Sequence, residues 1–374
     1  MKMPGKHALL SASSAARWMA CPPSARAEAK VKEQPSVFAA EGTLAHAWGE
    51  YFLKQKYLPG TAVEPKEEMD GEMSEAVRFY VEAVSEAFES EKAKGNHPFI
   101  SIEQRLDFSP WVPMGFGTGD AVIVSDGTIE IMDLKYGKGV LVLAKNNPQL
   151  RLYALGAWWT FKDIYPFENV RMAIVQPRLN NLDKDTLTVS ELRAWGHMVH
   201  EKAAVAWSGD GRRKAGPHCK FCKCRETCSA LKHYLLDPVT GKAAETLTDE
   251  QVADIVLKAG DIKKYLTDVT DYALAKAVDT GKIWPGLKVV EGRSVRKISD
   301  EGKAADVLKL NGFNDIYKPQ SLKTITELEK LCGKKHFGEL LKDAITKPKG
   351  KPTLVPASDK RPEYVSDDFD DSVL

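Results

Sequence analysis

GFGTGDAVIVSDGTIEIMDLKYGKG, residues 115–139, carries two strand-like runs, GTGDAVIVS and TIEIMDLKY, with Asp126-Gly127 between them. An Asp-Gly pair between such runs is a tight hairpin signal, because glycine takes the positive φ that a two-residue turn requires. Side chains alternate along a strand, so Asp133 and Lys135 point the same way, joined by Ile131, while Met132 and Leu134 face the core. The hairpin folds the preceding strand back so that Asp120 approaches Asp133. Two carboxylates and a lysine are then adjacent.

Working outward, FISIEQRLDF from Phe99 supplies a third strand, so residues 99–136 read as an antiparallel meander. Upstream, residues 11–20, 41–57 and about 70–94 have helical spacing, the last through Met73, Val77, Tyr80, Val81, Val84 and Phe88. Downstream, a helix opens at Asn147-Pro148, VRMAIVQP reads as a buried strand, and SELRAWGHMVHEKAAVAW as another helix. The expected core is α/β, a central mixed sheet flanked by helices. Beyond the cysteine-rich stretch, residues 247–280 read as helix, 287–299 as strand and 300–342 as two short helices. The composition of 346–374, rich in proline, lysine and acid, reads as an extended tail. The organisation expected is a core over 1–236, a smaller C-terminal α+β module over 237–345, and the tail.

The 374 residues are 43% hydrophobic and 28% charged, within the ordinary globular range. No run approaches the roughly 20 apolar residues that cross a bilayer, and the start lacks a signal-peptide core. The expected location is therefore the cytoplasm, with no membrane partner. The net charge of +1 announces no polyanion partner, so any nucleic-acid surface must be local. Basic density is greatest at residues 211–225, where Arg212, Arg213, Lys214 and Lys220 are the candidate DNA contacts.

Carboxylates held together repel unless a cation neutralises them, and hard oxygen ligands suit Mg²⁺ or Mn²⁺, which bind phosphate and water at once. Phosphodiester hydrolysis uses that arrangement, with the ammonium of Lys135 orienting the nucleophile or stabilising the transition state. Alone, an Asp-x-Lys on a strand reads as a surface ion pair. GTGDAVIV followed by DLKYGKG, however, resembles the motif pair of PD-(D/E)XK nucleases of the RecB-like branch. His46 in GTLAHAWGE resembles the helix histidine of that branch's metal site. Gln149 and Tyr153, four apart in QLRLYALGA, resemble its Gln-x-x-x-Tyr helix.

The resemblance implies a restriction-endonuclease-like core with catalytic residues Asp120, Asp133, Lys135, Gln149 and Tyr153. It implies a Mg²⁺ or Mn²⁺ site formed by His46, Asp120, Asp133 and the backbone carbonyl of Leu134. Glu103, one strand earlier, ranks second as a further carboxylate or a partner for Lys135. The implied activity is DNA hydrolysis, as an exonuclease in recombination or DNA processing. The alternative is a catalytically silent DNA-end-binding scaffold with the same fold.

Four of the six cysteines fall within residues 219–228, and in a long chain of this kind such crowding points to metal rather than disulfides. Cys219, Cys222 and Cys228 form a C-x2-C-x5-C run, and Cys21 in RWMACPPS is the candidate fourth ligand. The distribution, one cysteine before the nuclease motifs and three after, resembles RecB-like nucleases that carry a [4Fe–4S] cluster, which implies an iron–sulfur clasp. Zn²⁺ is the rival, with His218 and Cys224 as spare ligands. Cys224 and Cys332 are otherwise read as free thiols. The whole sequence also resembles a phage- or prophage-encoded family. That implies a host-cytosol setting and a single-strand annealing or single-strand-binding protein as partner. The acidic run Asp367 to Asp371 reads as a segment that docks a partner or mimics nucleic acid, or as a solvated tail.

Overall fold

Ser125 pairs with Thr128 across the Asp126-Gly127 turn, and Gly127 sits at φ 73°, which only glycine adopts without strain. From this hairpin the rest of the sheet is laid out. The protein was analysed as a computed structural model that describes residues 8–31, 37–240 and 247–290, together with Gly333.

Thirteen α-helices and β-strands follow in order among the described residues. They are α1 (Ala15–Ala20), α2 (Ser24–Glu28), α3 (Val37–Tyr57), α4 (Gly71–Ala93), β1 (Phe99–Asp107), β2 (Phe116–Ser125), β3 (Gly127–Leu134), α5 (Pro148–Phe161), β4 (Phe167–Gln176), β5 (Asn181–Thr188), α6 (Val189–Ser208), α7 (Ser229–Thr240) and α8 (Asp249–Thr280). The strands form one five-stranded sheet in sequence order, β1-β2-β3-β4-β5. Only the β3–β4 pair is parallel, since α5 carries the chain back between them.

Both faces of the sheet are covered. Val122, Val124, Ile129, Ile131, Val170, Met172 and Ile174 pack with residues of α5 and α6. Ala121, Ile123, Met132, Leu134, Ala173 and Val175 pack with Leu53 of α3 and Tyr80 and Val84 of α4. Ile131, expected on the face opposite the core, is therefore fully buried. The alternation of β3 separates two cores, and the polar site begins only where the strand runs out at Asp133.

Helix starts follow local chemistry. The Asn147 side chain accepts from the backbone N–H of Gln149 and Leu150, and Pro148 has no donor to leave unpaired. Thr188 and Glu191 form a reciprocal capping box at α6. The sequence reading passed over β5, whose NLDKDTLT alternates half-buried and exposed positions along a sheet edge and has too few apolar residues to mark it as a strand.

The chain divides into two compact units, Met1–Tyr272 and Ala273–Leu374. α7 runs through residue 236, where a boundary was expected. Leu287–Val290 lie outside regular structure. The rest of the 287–299 strand, the helices over 300–342, Cys332 and the acidic tail lie outside the described residues. No helix among the described residues is long and apolar enough to cross a membrane.

A buried ionic network ties α4 to the sheet. Arg171 of β4 reaches Glu91 of α4 at 2.6 Å and its strand neighbour Glu130 at 3.1 Å, and both glutamates are only 2% exposed. Burial by itself would raise the Glu91 carboxyl. Hydrogen bonds from Lys94, Arg171 and Asn96 outweigh it and hold the carboxyl at about 2. A depressed carboxyl stabilises the fold above its ordinary value, 4.5, and that contribution is lost as pH falls towards 2. Between pH 7 and pH 2 the wild type should lose about 3 kcal/mol more than Glu91→Gln. Denaturant melts of the two proteins should therefore converge in acid, and parallel curves would remove Glu91 as the cause.

Candidate active site at the end of the central strands

The antiparallel registers bring three carboxylates abreast. Glu103 lies between the pairs Ile102↔Ala121 and Gln104↔Gly119, hence opposite Asp120, and the β2–β3 register continues from Ala121↔Met132 to set Asp120 beside Asp133. Glu103 sits at φ 52° within its strand, a conformation that costs a non-glycine residue about 1–3 kcal/mol. The glycines of GFGTGD explain themselves here. A Cβ on Gly117 would lie 2.7 Å from the ring of Tyr153, and one on Gly119 would lie 2.9 Å from Leu106. Bare backbone lets α5 seat Tyr153 directly on β2.

Two connected groups result. In the first, His46 of α3, Glu103 and Asp120 each offer a ligand atom, all within 4.8 Å of one another, and His46 Nδ1 lies 3.4 Å from Asp120 Oδ1. In the second, Lys135 Nζ lies 2.7 Å from Asp133 Oδ2 and donates to Gln149 Oε1 at 3.0 Å. Gln149 Nε2 donates to Asp133 Oδ1 at 3.0 Å and to the Tyr153 hydroxyl at 3.3 Å. The backbone N–H of Leu134 joins the groups by donating to Asp120 Oδ2 at 2.7 Å.

His46, Asp120, Asp133, Lys135, Gln149 and Tyr153 thus converge. Asp133 is engaged by Lys135 and Gln149, while Glu103, ranked second from sequence, joins His46 and Asp120. Leu134 contributes its N–H to the site. No local signal in ISIEQRLDF marks Glu103, because its place is set by strand register and by an unusual φ.

The charges strain against one another. Burial would lower the His46 imidazole, but Asp120 over-compensates and it rises to about 9. Burial and the neighbouring Asp120 lift the Glu103 carboxyl to about 7. Burial pushes Asp133 up, Lys135 pulls it down, and Asp120 adds to the rise. Lys135 is held as an ammonium, since the nearby Asp133 outweighs the burial that would neutralise it. Oxygen and imidazole donors that resist sharing one negative region fit a hard divalent cation.

The cysteines lie elsewhere, at the junction of α1, α2 and the 211–228 segment. Cys21 closes α1, and two successive single-turn helices, Pro217–Phe221 and Arg225–Thr227, fold Cys219, Cys222 and Cys228 back. Glu28 ties the ends together, accepting from Arg17 Nε and from the backbone N–H of Lys223, each at 2.7 Å. Cys21, Cys219, Cys222, Cys224 and Cys228 line one cavity, which Arg213 and Lys214 also line. Among the described residues no three of these thiols come within 4.8 Å of one another. Burial pushes the Cys219 and Cys224 thiols up, and Cys222 to about 12. Arg213 lies beside Cys228, and it and Lys214 line the thiol cavity; all four candidate DNA contacts, Arg212, Arg213, Lys214 and Lys220, are exposed.

A mixed five-stranded sheet between helix layers, with carboxylates, a lysine and a histidine at the end of its central strands, defines an α/β protein with a polar cluster at the sheet's end. Residues 7–362 match the family described as "Protein of unknown function (DUF2800)", and the chain belongs to that family. Among solved structures it is similar to a candidate exonuclease from Eubacterium rectale at 12% identity and TM-score 0.29, covering 65% of this chain and 92% of that one. It is also similar to SSO0001 at 12% identity and TM-score 0.24, covering 58% and 96%. Superpositions this loose carry neither fold nor activity across.

Metal ligands must shed their protons, so affinity should rise as pH passes about 7, where Glu103 ionises, and towards about 9, where His46 does. Calorimetric titration with Mn²⁺ in buffers of different ionisation heat should show net proton release near neutrality, and Asp120→Ala should abolish the binding. A pH-independent affinity would place the ion elsewhere.

Proposed function

We propose that this chain is a metal-dependent DNA nuclease that acts as an exonuclease. The observation that carries the reading is the Asp133–Lys135–Gln149 cluster, joined through Asp120 to the His46–Glu103–Asp120 group. His46, Glu103 and Asp120 would hold Mg²⁺ or Mn²⁺, with Asp133 as a shared neighbour. Such an ion activates water and offsets charge gathering on the phosphate.

The protein's own groups supply the rest. Lys135, kept protonated by Asp133, presents an ammonium to the phosphoryl oxygens or to the attacking water. Gln149 fixes both partners of that ion pair, so the ammonium stays in place rather than swinging to solvent. Tyr153, whose burial and proximity to Asp133 raise its hydroxyl, remains neutral and accepts from Gln149 Nε2, closing the cluster on the α5 side. Arg212, Arg213, Lys214 and Lys220, all exposed, would contact the DNA backbone.

The thiol cavity supports a [4Fe–4S] cluster held by Cys21, Cys219, Cys222 and Cys228. Thiols raised by burial need a cation to ionise them, and Arg213 offers a hydrogen bond to one of the sulfurs. The cluster's role would be to clasp the N-terminal helices to the 211–228 segment, where Glu28 already bridges.

Anaerobically purified protein should be brown and should hydrolyse end-labelled duplex DNA with Mn²⁺. Asp133→Ala and Lys135→Ala should each lower the rate by about a hundredfold or more while leaving the visible absorption unchanged. Retained hydrolysis in Asp133→Ala would move the active site elsewhere, and colourless protein containing zinc would replace the cluster.

A further inference from the structure

Between Lys135 and Gln149 the chain makes a loop, YGKGVLVLAKNN at residues 136–147, whose two ends are joined by the 3.0 Å bond between those side chains. It carries no acid and two lysines, Lys138 and Lys145. Its side chains alternate. Val142 packs on the main core and Ala144 is fully buried, while Leu141 and Leu143 are 57% and 51% exposed, with Val140 beside them at 36%. Exposed leucines on a mobile loop would fold in on the nearest apolar surface. These are held out.

What holds them out is a set of side chains rather than a partner strand. Gln176 Oε1 accepts from the backbone N–H of Val142, and its Nε2 donates to the carbonyls of Gly137 and Val140 at 2.6 and 2.8 Å. Asn181 Nδ2 donates to the Val142 carbonyl. Asp183 accepts from Ala144 N at 2.6 Å, and Asp185 from Asn146 N at 3.2 Å. Four residues at the end of β4 and along β5 thus mimic a strand edge, and the two aspartates, otherwise repellent to a polyanion, are turned to backbone amides. Hydrogen bonds to ionised acceptors are among the stronger ones, so the rib is rigid.

We propose that this rib is a strand-separating wedge for the end of a DNA duplex. Resting on the nuclease reading above, it sends Leu141 and Leu143 against the terminal base pair, while Lys145 and Lys138 meet the flanking phosphates. Apolar side chains inserted between base steps unstack them, and the loss is repaid by new contacts to the opened strands. The connectivity fits this use: the rib leaves β3 at Lys135 and enters α5 at Gln149, so both of its ends are anchored in the groups that would cut a strand peeled off by the leucines. Lys138 is lightly engaged by exposed Glu72 at 3.6 Å, an ion pair that a phosphate displaces at little cost.

The test uses full-length protein and a short blunt duplex with 2-aminopurine at its terminal pair, which brightens when unstacked. Wild type should raise the fluorescence in the presence of Ca²⁺, and Leu141→Ser with Leu143→Ser should abolish the rise, while Leu141→Met with Leu143→Met retains it. With Mn²⁺, the serine variant should lose about tenfold or more on the blunt duplex and within about twofold on the same strand presented single-stranded. Equal loss on both substrates, no loss on the duplex, or DNA bound by wild type without a fluorescence rise would each overturn the wedge. If wild type cleaves neither substrate, the nuclease reading fails while the fluorescence still decides the wedge.

Discussion

Three carboxylates side by side on neighbouring strands repel one another, and the arrangement around Glu103, Asp120 and Asp133 follows from containing that repulsion. The antiparallel register places them in one row, and the end of the sheet is where a row of charge reaches both solvent and the flanking helices. Each is then met by a different device. Asp120 takes the Leu134 N–H and the His46 imidazole, Asp133 takes Lys135 and Gln149, and Glu103 tends towards the protonated form. The helices are positioned to supply those devices: α3 brings His46, and α5, started by Asn147-Pro148, brings Gln149 and Tyr153.

This also explains why the apolar core is divided. A sheet covered on both faces buries β3 from Ile129 to Leu134, so its polar function is confined to the strand's end, beyond Met132. The half-buried Arg171, shared by the buried Glu91 and Glu130, fixes α4 against β3 and β4 at the other end of the sheet. Removing one member of such a network costs more than the network contributes, because the remaining charges stay buried. Charge is therefore managed at both ends of the central strands by different means, complete pairing at one and deliberate excess at the other.

Much of this was legible in the sequence where signals are local. The Asp-Gly turn, the alternation of β2 and β3, and the Asn-Pro start of α5 each depend on a few consecutive residues, and each is found where its chemistry places it. The convergence of Asp120, Asp133, Lys135 and Gln149 follows from those elements. The parts that escaped depend on distant pairs. Arg171 meets Glu91 eighty residues away. Glu103 gains its place from register and a φ of 52°, and β5 becomes a strand because β4 offers it an edge. Its aspartates read as surface charge until the 136–147 loop is seen to hang its backbone on them. The run Cys219 to Cys228 was legible because its spacing is local, whereas Cys21 was joined to it only by the resemblance and the turn of Arg213 towards the thiols was not legible at all.

The central claim is that the carboxylate row is a cation site built for phosphodiester chemistry. Crystals soaked in Mn²⁺ and measured at the manganese edge would test it most directly. The account predicts an anomalous peak within about 2.2 Å of an Asp120 oxygen, with His46 and Glu103 in its coordination sphere and Lys135 still paired with Asp133. An absent peak, with the Asp120–Leu134 and His46–Asp120 contacts unchanged, would mean that the row is satisfied by protons and amides alone, and would contradict the claim.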